Sequence, residues 1–373
     1  MAQQHLDPTD PTATEVTGDA LAGYLRAQAT EFLRALRLHR ENGGAANGAV
    51  ESVDAARALR RSARRISGSL HTFRPLLDTD WSEEMRPELA WLSGTLGLEH
   101  AYESRLERLL QALHRLSGST TLPAQVTTVG VGDPTAPTRA APVARVGAAA
   151  PSNAGGPARP TPTVERGNLT VGAAKAGALL ERQLTLARTR AHSTALQALG
   201  SSRFHAVADK VAVLASEVPL TPAAATTGLR PLAAAAEERL TDAIAALPLL
   251  TAGHPYNAEA LVHGLSPDPS PHPQDGPWHQ VRLLLRLHRY ALEVLCGGST
   301  PVDVRLLAAG QALNRHRDAS EAAAAAAQAA RTPRIAPATA YALGVLHADQ
   351  RHEVEAARFA FQQAWQKQTV NAP

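Results

Sequence analysis

The sequence has a single cysteine, Cys296, which excludes an intrachain disulfide and any metal site built from several thiolates. Aromatic residues make up only 4% of the 373 residues, so leucine, alanine and valine must fill the core. Such a core favours close-packed helices over sheets. No apolar run approaches the ~20 residues of a membrane span, and the polar, acidic N-terminus is unlike a signal peptide. We therefore expect a soluble, cytoplasmic protein with no membrane partner.

Lysine is also scarce. It occurs only at Lys175, Lys210 and Lys367, so 34 of the 37 basic residues are arginine, and the net charge is a modest +3. A GC-rich genome would produce this bias without any selection on function. Selection for the planar guanidinium group, which binds phosphate oxygens in pairs, would produce it too. The positions of the arginines must therefore distinguish the two interpretations.

Hydrophobic periodicity predicts an all-α protein with four segments. Residues 1–17 are predicted to be a disordered tail, and residues 118–168, rich in Pro, Ala and Gly, a flexible linker. Residues 18–117 and 169–367 are predicted to form two pseudo-symmetric helical-bundle repeats around a basic groove or cavity. Ser52 is the predicted N-cap of the second helix.

The second helix separates an apolar stripe from a basic one. Apolar side chains recur at steps of three and four residues from Ala56 to Phe73, which predicts a core-facing seam. No acidic residue lies between Arg57 and Arg74, so these like charges lack helical partners and an outside anion is expected to neutralise them. The basic stripe and its flanks comprise Arg57, Arg60, Arg61, Arg64, Arg65, His71 and Arg74.

A helix far downstream repeats this design. An offset of 222 residues places His279 on Arg57, Arg282 on Arg60 and Arg286 on Arg64, and Arg289 extends the same stripe. His288 falls on the apolar seam and is therefore predicted to be a packed core residue. Two basic helices in one register indicate a duplicated helical unit. A pseudo-twofold axis would bring both basic faces onto one groove.

At these residues the sequence resembles the CHAD family, named for conserved histidines in an α-helical domain. The resemblance covers about residues 18–117 and 172–366, and four motifs occur in the family's order. They are RALRRSARRISGSLHTFRPLL, WHQVRLLLRLHRYALEVL, GQALNRHRDA and ALGVLHADQRHEVEAARFAFQQAW.

The resemblance implies two helical repeats around a basic cavity that binds inorganic polyphosphate, without a cofactor and without catalysis. It also implies association with polyphosphate granules. The last two motifs add His316, His347 and Arg351 to the basic stripes as predicted binding residues.

The sequence departs from the family pattern in its first half. Arg57 stands where the family has a histidine, His100-Ala101 where it has Arg-Asp, and Ser67 where an arginine is common. We therefore expect the second half to contribute more of the binding than the first.

Other functions have less support in the sequence. The histidines lack the spacing of a metal site, and no carboxylate cluster is available for the Mg²⁺ that a phosphoanhydride-cleaving enzyme needs. Non-specific binding of a nucleic-acid backbone is the main alternative, although only Tyr290 offers an aromatic ring near the basic stripes. A helical scaffold for protein partners is the third possibility, and it would require an exposed apolar patch. The oligomeric state is left open.

Overall fold

The computed structural model describes residues 17–42, 49–118, 163–254, 257–265, 272–297 and 303–366. In these ranges the only β-type pairing is an isolated bridge between Leu77 and Leu220, so the predicted all-α fold is confirmed. Short 3₁₀ turns occupy Arg74–Leu76, Pro222–Ala225 and Pro273–Asp275. The α-helices are α1 (Gly18–Asn42), α2 (Ala49–Thr72), α3 (Thr79–Ser117), α4 (Thr163–Leu199), α5 (Ser202–Ser216), α6 (Arg230–Ala245), α7 (Leu249–Ala252), α8 (Ala258–Gly264), α9 (Gly276–Leu295), α10 (Val304–Ala330) and α11 (Pro337–Gln366).

Local sequence signals fix the helix ends near the site. The Asp78 carboxylate accepts a hydrogen bond from the Trp81 backbone N–H at the start of α3. Gly118 ends that helix in the left-handed region, with φ of 68°. Asp303 caps α10 in the same way, accepting from two backbone N–H groups. The prediction for α2 was wrong at its start: the helix begins at Ala49, so Ser52 lies inside it.

The predicted apolar seams of α2 and α9 are confirmed as core. Leu59 and Ile66 of α2, Phe73 directly after it and Val281 of α9 are fully buried. His288, placed on the α9 seam by its spacing, is 5% exposed. Because α2 and α9 pack together and each carries its basic stripe beside its seam, the two stripes flank the same space.

The hydrophobic core consists of three clusters. The first joins α1, α2 and α3 to α5, α6 and the end of α9, and it contains Phe32, Phe73 and Phe204. The second joins the C-terminal part of α3 to α4, α10 and α11. The third, around Trp278 and Phe361, joins α6, α7, α9, α10 and α11. Two of the three clusters therefore contain residues from both predicted repeats.

Much of the predicted tail and linker, at residues 1–16 and 119–162, lies outside the described residues. Helix α4 begins at Thr163, so residues 163–168 of the predicted linker are helical. In the part of the chain that the structure describes, the two predicted repeats share their cores and are not two separately packed bundles.

Candidate functional site

The basic stripes of α2 and α9 meet at a groove that also receives side chains from α3 and α10. Arg64, Arg282 and Arg286 line a cavity of about 420 Å³ between α2, α3 and α9. Arg60 and Arg317 line a second cavity of about 250 Å³ between α3 and α10. We call these five arginines the basic groove. Three helices thus contribute guanidinium groups to one region.

Burial and the crowding of like charges lower the pKa of three of these arginines. Burial, with the positive charges of Arg60 and Arg286, lowers the pKa of the Arg64 guanidinium to about 9. Burial, with the charges of Arg317 and Arg286, lowers the pKa of Arg282 to about 10. The pKa of Arg60 is lowered by burial and by Arg317 and Arg286. A bound anion would relieve this repulsion.

Nearby acidic residues offset only part of the groove's charge. Asp318 and Glu321 raise the pKa of Arg282, whereas burial and the neighbouring arginines lower it, and the net shift is downward. Both carboxylates lie at the 250 Å³ cavity, where Arg317 donates to Asp318 and Arg105 donates to Glu321, each at 2.5 Å. Four arginines and two carboxylates line the 250 Å³ cavity, whereas four arginines and no carboxylate line the 420 Å³ cavity. The larger excess of positive charge therefore lies at the α2–α9 end.

The position of Arg60 depends on the backbone of α3. Its Nε donates a hydrogen bond to the Ser93 carbonyl oxygen at 3.0 Å. Its guanidinium packs on Gly97, where a Cβ atom would overlap it. Arg60 is therefore held along the groove wall by α3.

The other predicted residues of the first half have different surroundings. Arg61 is exposed, and Arg57 is an exposed side chain that pairs with Asp54 at 3.1 Å. One Arg57 nitrogen also lies 3.5 Å from Nδ1 of His100, at the edge of the smaller cavity. Neither arginine lines either of the two cavities.

Two more arginines of this half already have acidic partners. Arg65 donates to both carboxylate oxygens of Glu293 on α9, at 2.7 and 3.4 Å, and so helps to join α2 to α9. Arg74 pairs with Glu83 at 3.0 Å. His71 lines the 420 Å³ cavity, and burial together with nearby positive charge lowers its pKa.

In the second half, His279 is half-buried, like Arg282 and Arg286 beside it. Its Nε2 is 3.4 Å from the Ser320 hydroxyl, and its ring meets the His316 ring edge to face at 5.5 Å. Burial lowers the pKa of His279, Asp275 raises it, and Arg282 lowers it further; the net shift is downward. Arg289, at the far end of the stripe, is exposed.

His316 and Arg351, both predicted to bind the ligand, lie in a buried ionic cluster. Arg351 donates to both oxygens of Asp275, at 2.7 and 3.3 Å. Arg358 donates to the same carboxylate at 2.8 Å and to Nε2 of His316 at 3.3 Å. We call Asp275, His316, Arg351 and Arg358 the Asp275 cluster; each is at most 5% exposed. His316 and Arg351 therefore already have protein partners.

Charges in the Asp275 cluster are fixed by opposing effects. Burial alone would raise the pKa of the Asp275 carboxyl, but its contacts with His316 and Arg351 outweigh burial and hold the pKa well below its usual range. Burial lowers the pKa of His316 to about 4, against the opposing effect of Asp275. The cluster thus holds an ionised Asp275 and a neutral His316 at neutral pH.

His347 is half-buried between α10 and α11. Its Nδ1 lies 2.9 Å from the Ala323 carbonyl oxygen, which accepts a hydrogen bond from the ring. This contact joins the two helices, and His347 lines neither cavity of the groove.

Sequence reasoning missed five basic residues, of which Arg105 and Arg108 line the 250 Å³ cavity. Arg317 belongs to the basic groove, Arg86 lines the 420 Å³ cavity, and Arg239 is close enough to lower the pKa of His71. Arg86 and Arg317 lie close in sequence to acidic residues, so neither forms part of an unbroken basic stripe.

A family model of the CHAD domain matches residues 27–305, well over half of the chain. The chain belongs to the CHAD family. This family is associated with polyphosphate binding and is generally non-catalytic. The membership of the CHAD family that the four motifs predicted is therefore confirmed.

Solved structures that resemble this CHAD protein include the following two. One is PptA from Streptomyces chartreusis, at 68% identity over 94% of this chain and 99% of that chain, with a TM-score of 0.71. The other is the CHAD domain from the plant Ricinus communis, at 16% identity over 96% of this chain and 93% of that chain, with a TM-score of 0.47. No curated protein matches.

The described residues of this CHAD protein contain neither a candidate metal site nor a candidate membrane-spanning helix. No three His, Cys, Asp or Glu side chains in those ranges are grouped to hold a metal ion. None of the described helices is long and apolar enough to cross a membrane.

Proposed function

We propose that this protein binds inorganic polyphosphate in the basic groove and does not transform it. The observation that carries the proposal is the crowding of five arginines from α2, α9 and α10, whose repulsion their acidic neighbours offset only in part. A flexible chain with about one charge per phosphate reaches several guanidinium groups at once and receives charge-assisted, paired hydrogen bonds from them. Membership of the CHAD family supports the same ligand.

Within the groove, we assign direct phosphate binding to Arg64, Arg282 and Arg286, with Arg60 and Arg317 extending the path. His71, Arg86 and His279 add donors at its margins. His316 and Arg351 are assigned a supporting role, because the Asp275 carboxylate and its neighbours already engage them. Affinity for a long polymer would also place the protein on polyphosphate granules.

The test is a calorimetric titration of long-chain polyphosphate against duplex DNA at two salt concentrations. We expect polyphosphate to bind more tightly than DNA at equal phosphate concentration, and more tightly than orthophosphate or mononucleotides. Five neutralised phosphates would give a slope of log K against log salt of about −3.5 to −4.5, by analogy with nucleic acids. If duplex DNA competes better, backbone binding of nucleic acid replaces polyphosphate as the function.

Matched double variants locate the site. Arg282→Ala with Arg286→Ala should weaken binding most and reduce the salt slope by about 1.4 to 1.8, because two groove charges are lost. Arg57→Ala with Arg60→Ala should weaken it less, since Arg57 is exposed and paired with Asp54. Arg57→Ala with Arg61→Ala removes the same charge from outside the cavities and serves as the control. Parent-like affinity in the first double variant would refute the site.

A further inference from the structure

Helix α9 carries an apolar stripe that neither the core nor phosphate binding uses. Leu283, Leu287 and Tyr290 recur at four and three residues and line the 420 Å³ cavity beside Arg282 and Arg286. Leu283 is 41% exposed, and the other two are half-buried. All three lie outside the buried seam of α9. The cavity therefore has arginine along one side and apolar surface along the other.

The α2 wall opposite this stripe carries small residues, and the Arg65 guanidinium lies over the Tyr290 ring, 5.8 Å from its centroid. Ser67 of α2 lines the cavity with a short, uncharged side chain, and Gly68 follows it. A Cβ atom at Gly68 would lie 2.6 Å from Cδ2 of Tyr290 and 3.3 Å from Cδ2 of Leu287. The glycine thus allows both side chains to pack on the α2 backbone. We call Ser67, Gly68, Leu283, Leu287 and Tyr290 the uncharged shelf.

The shelf and the arginines together suit a ligand with two chemical halves. Inorganic polyphosphate has no apolar part, so it gains nothing from the shelf. A phosphate chain linked to a planar ring would use both sides, since rings stack on aromatic and aliphatic side chains without needing specific hydrogen bonds. A volume of about 420 Å³ lies within the range of small-molecule sites.

We propose that this cavity also binds nucleoside polyphosphates, with the base on the uncharged shelf and the phosphates on Arg64, Arg282 and Arg286. The phosphate half of this inference rests on the proposed function, and the base half rests on the shelf alone. The short, uncharged Ser67 side chain leaves room for an organic group beside the arginines.

The experiment compares ATP with inorganic tripolyphosphate by calorimetry without divalent cations. Both ligands carry three phosphates, but tripolyphosphate has the greater negative charge, so electrostatics alone favours it. If the base uses the shelf, ATP should bind about fivefold to a hundredfold more tightly, the range expected for stacking of one base.

Three single variants separate the two halves of the site. Leu283→Ser should lower ATP affinity at least about threefold and leave tripolyphosphate unchanged, and the exposure of Leu283 favours normal folding. Ser67→Arg should strengthen tripolyphosphate binding and remove the preference for ATP. Leu307→Ser on α10, where the leucine is 39% exposed and outside the cavity, should change neither affinity.

Equal or weaker binding of ATP in the parent overturns the inference, and so does an equal loss of both ligands in Leu283→Ser. If long-chain polyphosphate still binds in either case, the proposed function stands and only the shelf is misassigned. If polyphosphate, tripolyphosphate and ATP all fail to bind, the proposed function itself is wrong.

Discussion

Removal of the Asp275 carboxylate should be the most destabilising single change near the site. In Asp275→Ala, Arg351 and Arg358 keep their charges in a buried environment but lose the acceptor that they share. Breaking a buried ion pair from one side costs about 3–5 kcal/mol. At about 2 °C per kcal/mol for a large domain, the melting temperature should fall by about 6–10 °C.

Urea unfolding followed by tryptophan fluorescence and circular dichroism would measure the loss. Trp278 is a local reporter, because it is 1% exposed and its ring stacks on His316. Asp318→Ala is the matched control: its carboxylate is 46% exposed and pairs with Arg317, so its loss should cost at most about 1 kcal/mol. Adding Arg351→Met to Asp275→Ala should recover stability, because the double variant carries one fewer uncompensated charge.

The pH dependence of the stability of the parent and of Asp275→Ala supplies an independent check. Because the folded pKa of Asp275 is depressed, its contribution is complete above the usual value of about 3.8 and is lost as pH falls below it. The stability gap between the parent and Asp275→Ala should therefore be constant near neutral pH and should narrow below about pH 4. A gap under about 1 kcal/mol at pH 7, or a double variant less stable than the single one, would refute the reasoning.

Three further predictions concern the site and the linker. We expect the affinity for polyphosphate to rise as the pH falls below about 6.5, and we expect His279→Gln to flatten this rise. The reason is that the bound anion raises the pKa of His279, which burial and Arg282 lower in the free protein. An unchanged pH profile of the affinity would exclude His279 as the titrating group. Arg282→Lys with Arg286→Lys should weaken binding although charge is kept, because lysine lacks the paired donors, and parent-like affinity would argue for charge alone. Replacing residues 119–162 with a Gly/Ser segment long enough to join α3 to α4 should leave the melting temperature and binding nearly unchanged, because that stretch lacks hydrophobic periodicity; loss of folding in thermal melts would contradict this.

The fold class and the α2–α9 half of the site were predictable because they depend on repeated spacing. Seams at three- and four-residue steps predicted Leu59 and Val281 as core, and a constant offset of 222 residues paired Arg60 with Arg282 and Arg64 with Arg286. Helical periodicity fixes such positions whatever the surrounding fold.

The buried part of the site was not predictable, because a histidine or arginine looks the same in sequence whether it faces a groove or a core. Asp275 holds His316 and Arg351 in the buried cluster and so away from the groove, yet it lies 41 and 76 residues away from them in the chain. Similarly, Arg317 enters the groove from a helix with acidic neighbours, and only the packing of α10 beside α3 reveals its role.

The first hydrophobic cluster has a consequence for synthesis of the chain. Helices α1 and α2 pack against α9, whose Ala291 and Val294 belong to the same cluster, so Leu70 near the end of α2 precedes these partners by about 220 residues. At a translation rate of about 5–20 residues per second, the apolar faces of the first helices stay exposed for roughly 10–40 s before α9 is synthesised. During this interval the nascent chain is a substrate for chaperones, and slower translation should increase aggregation.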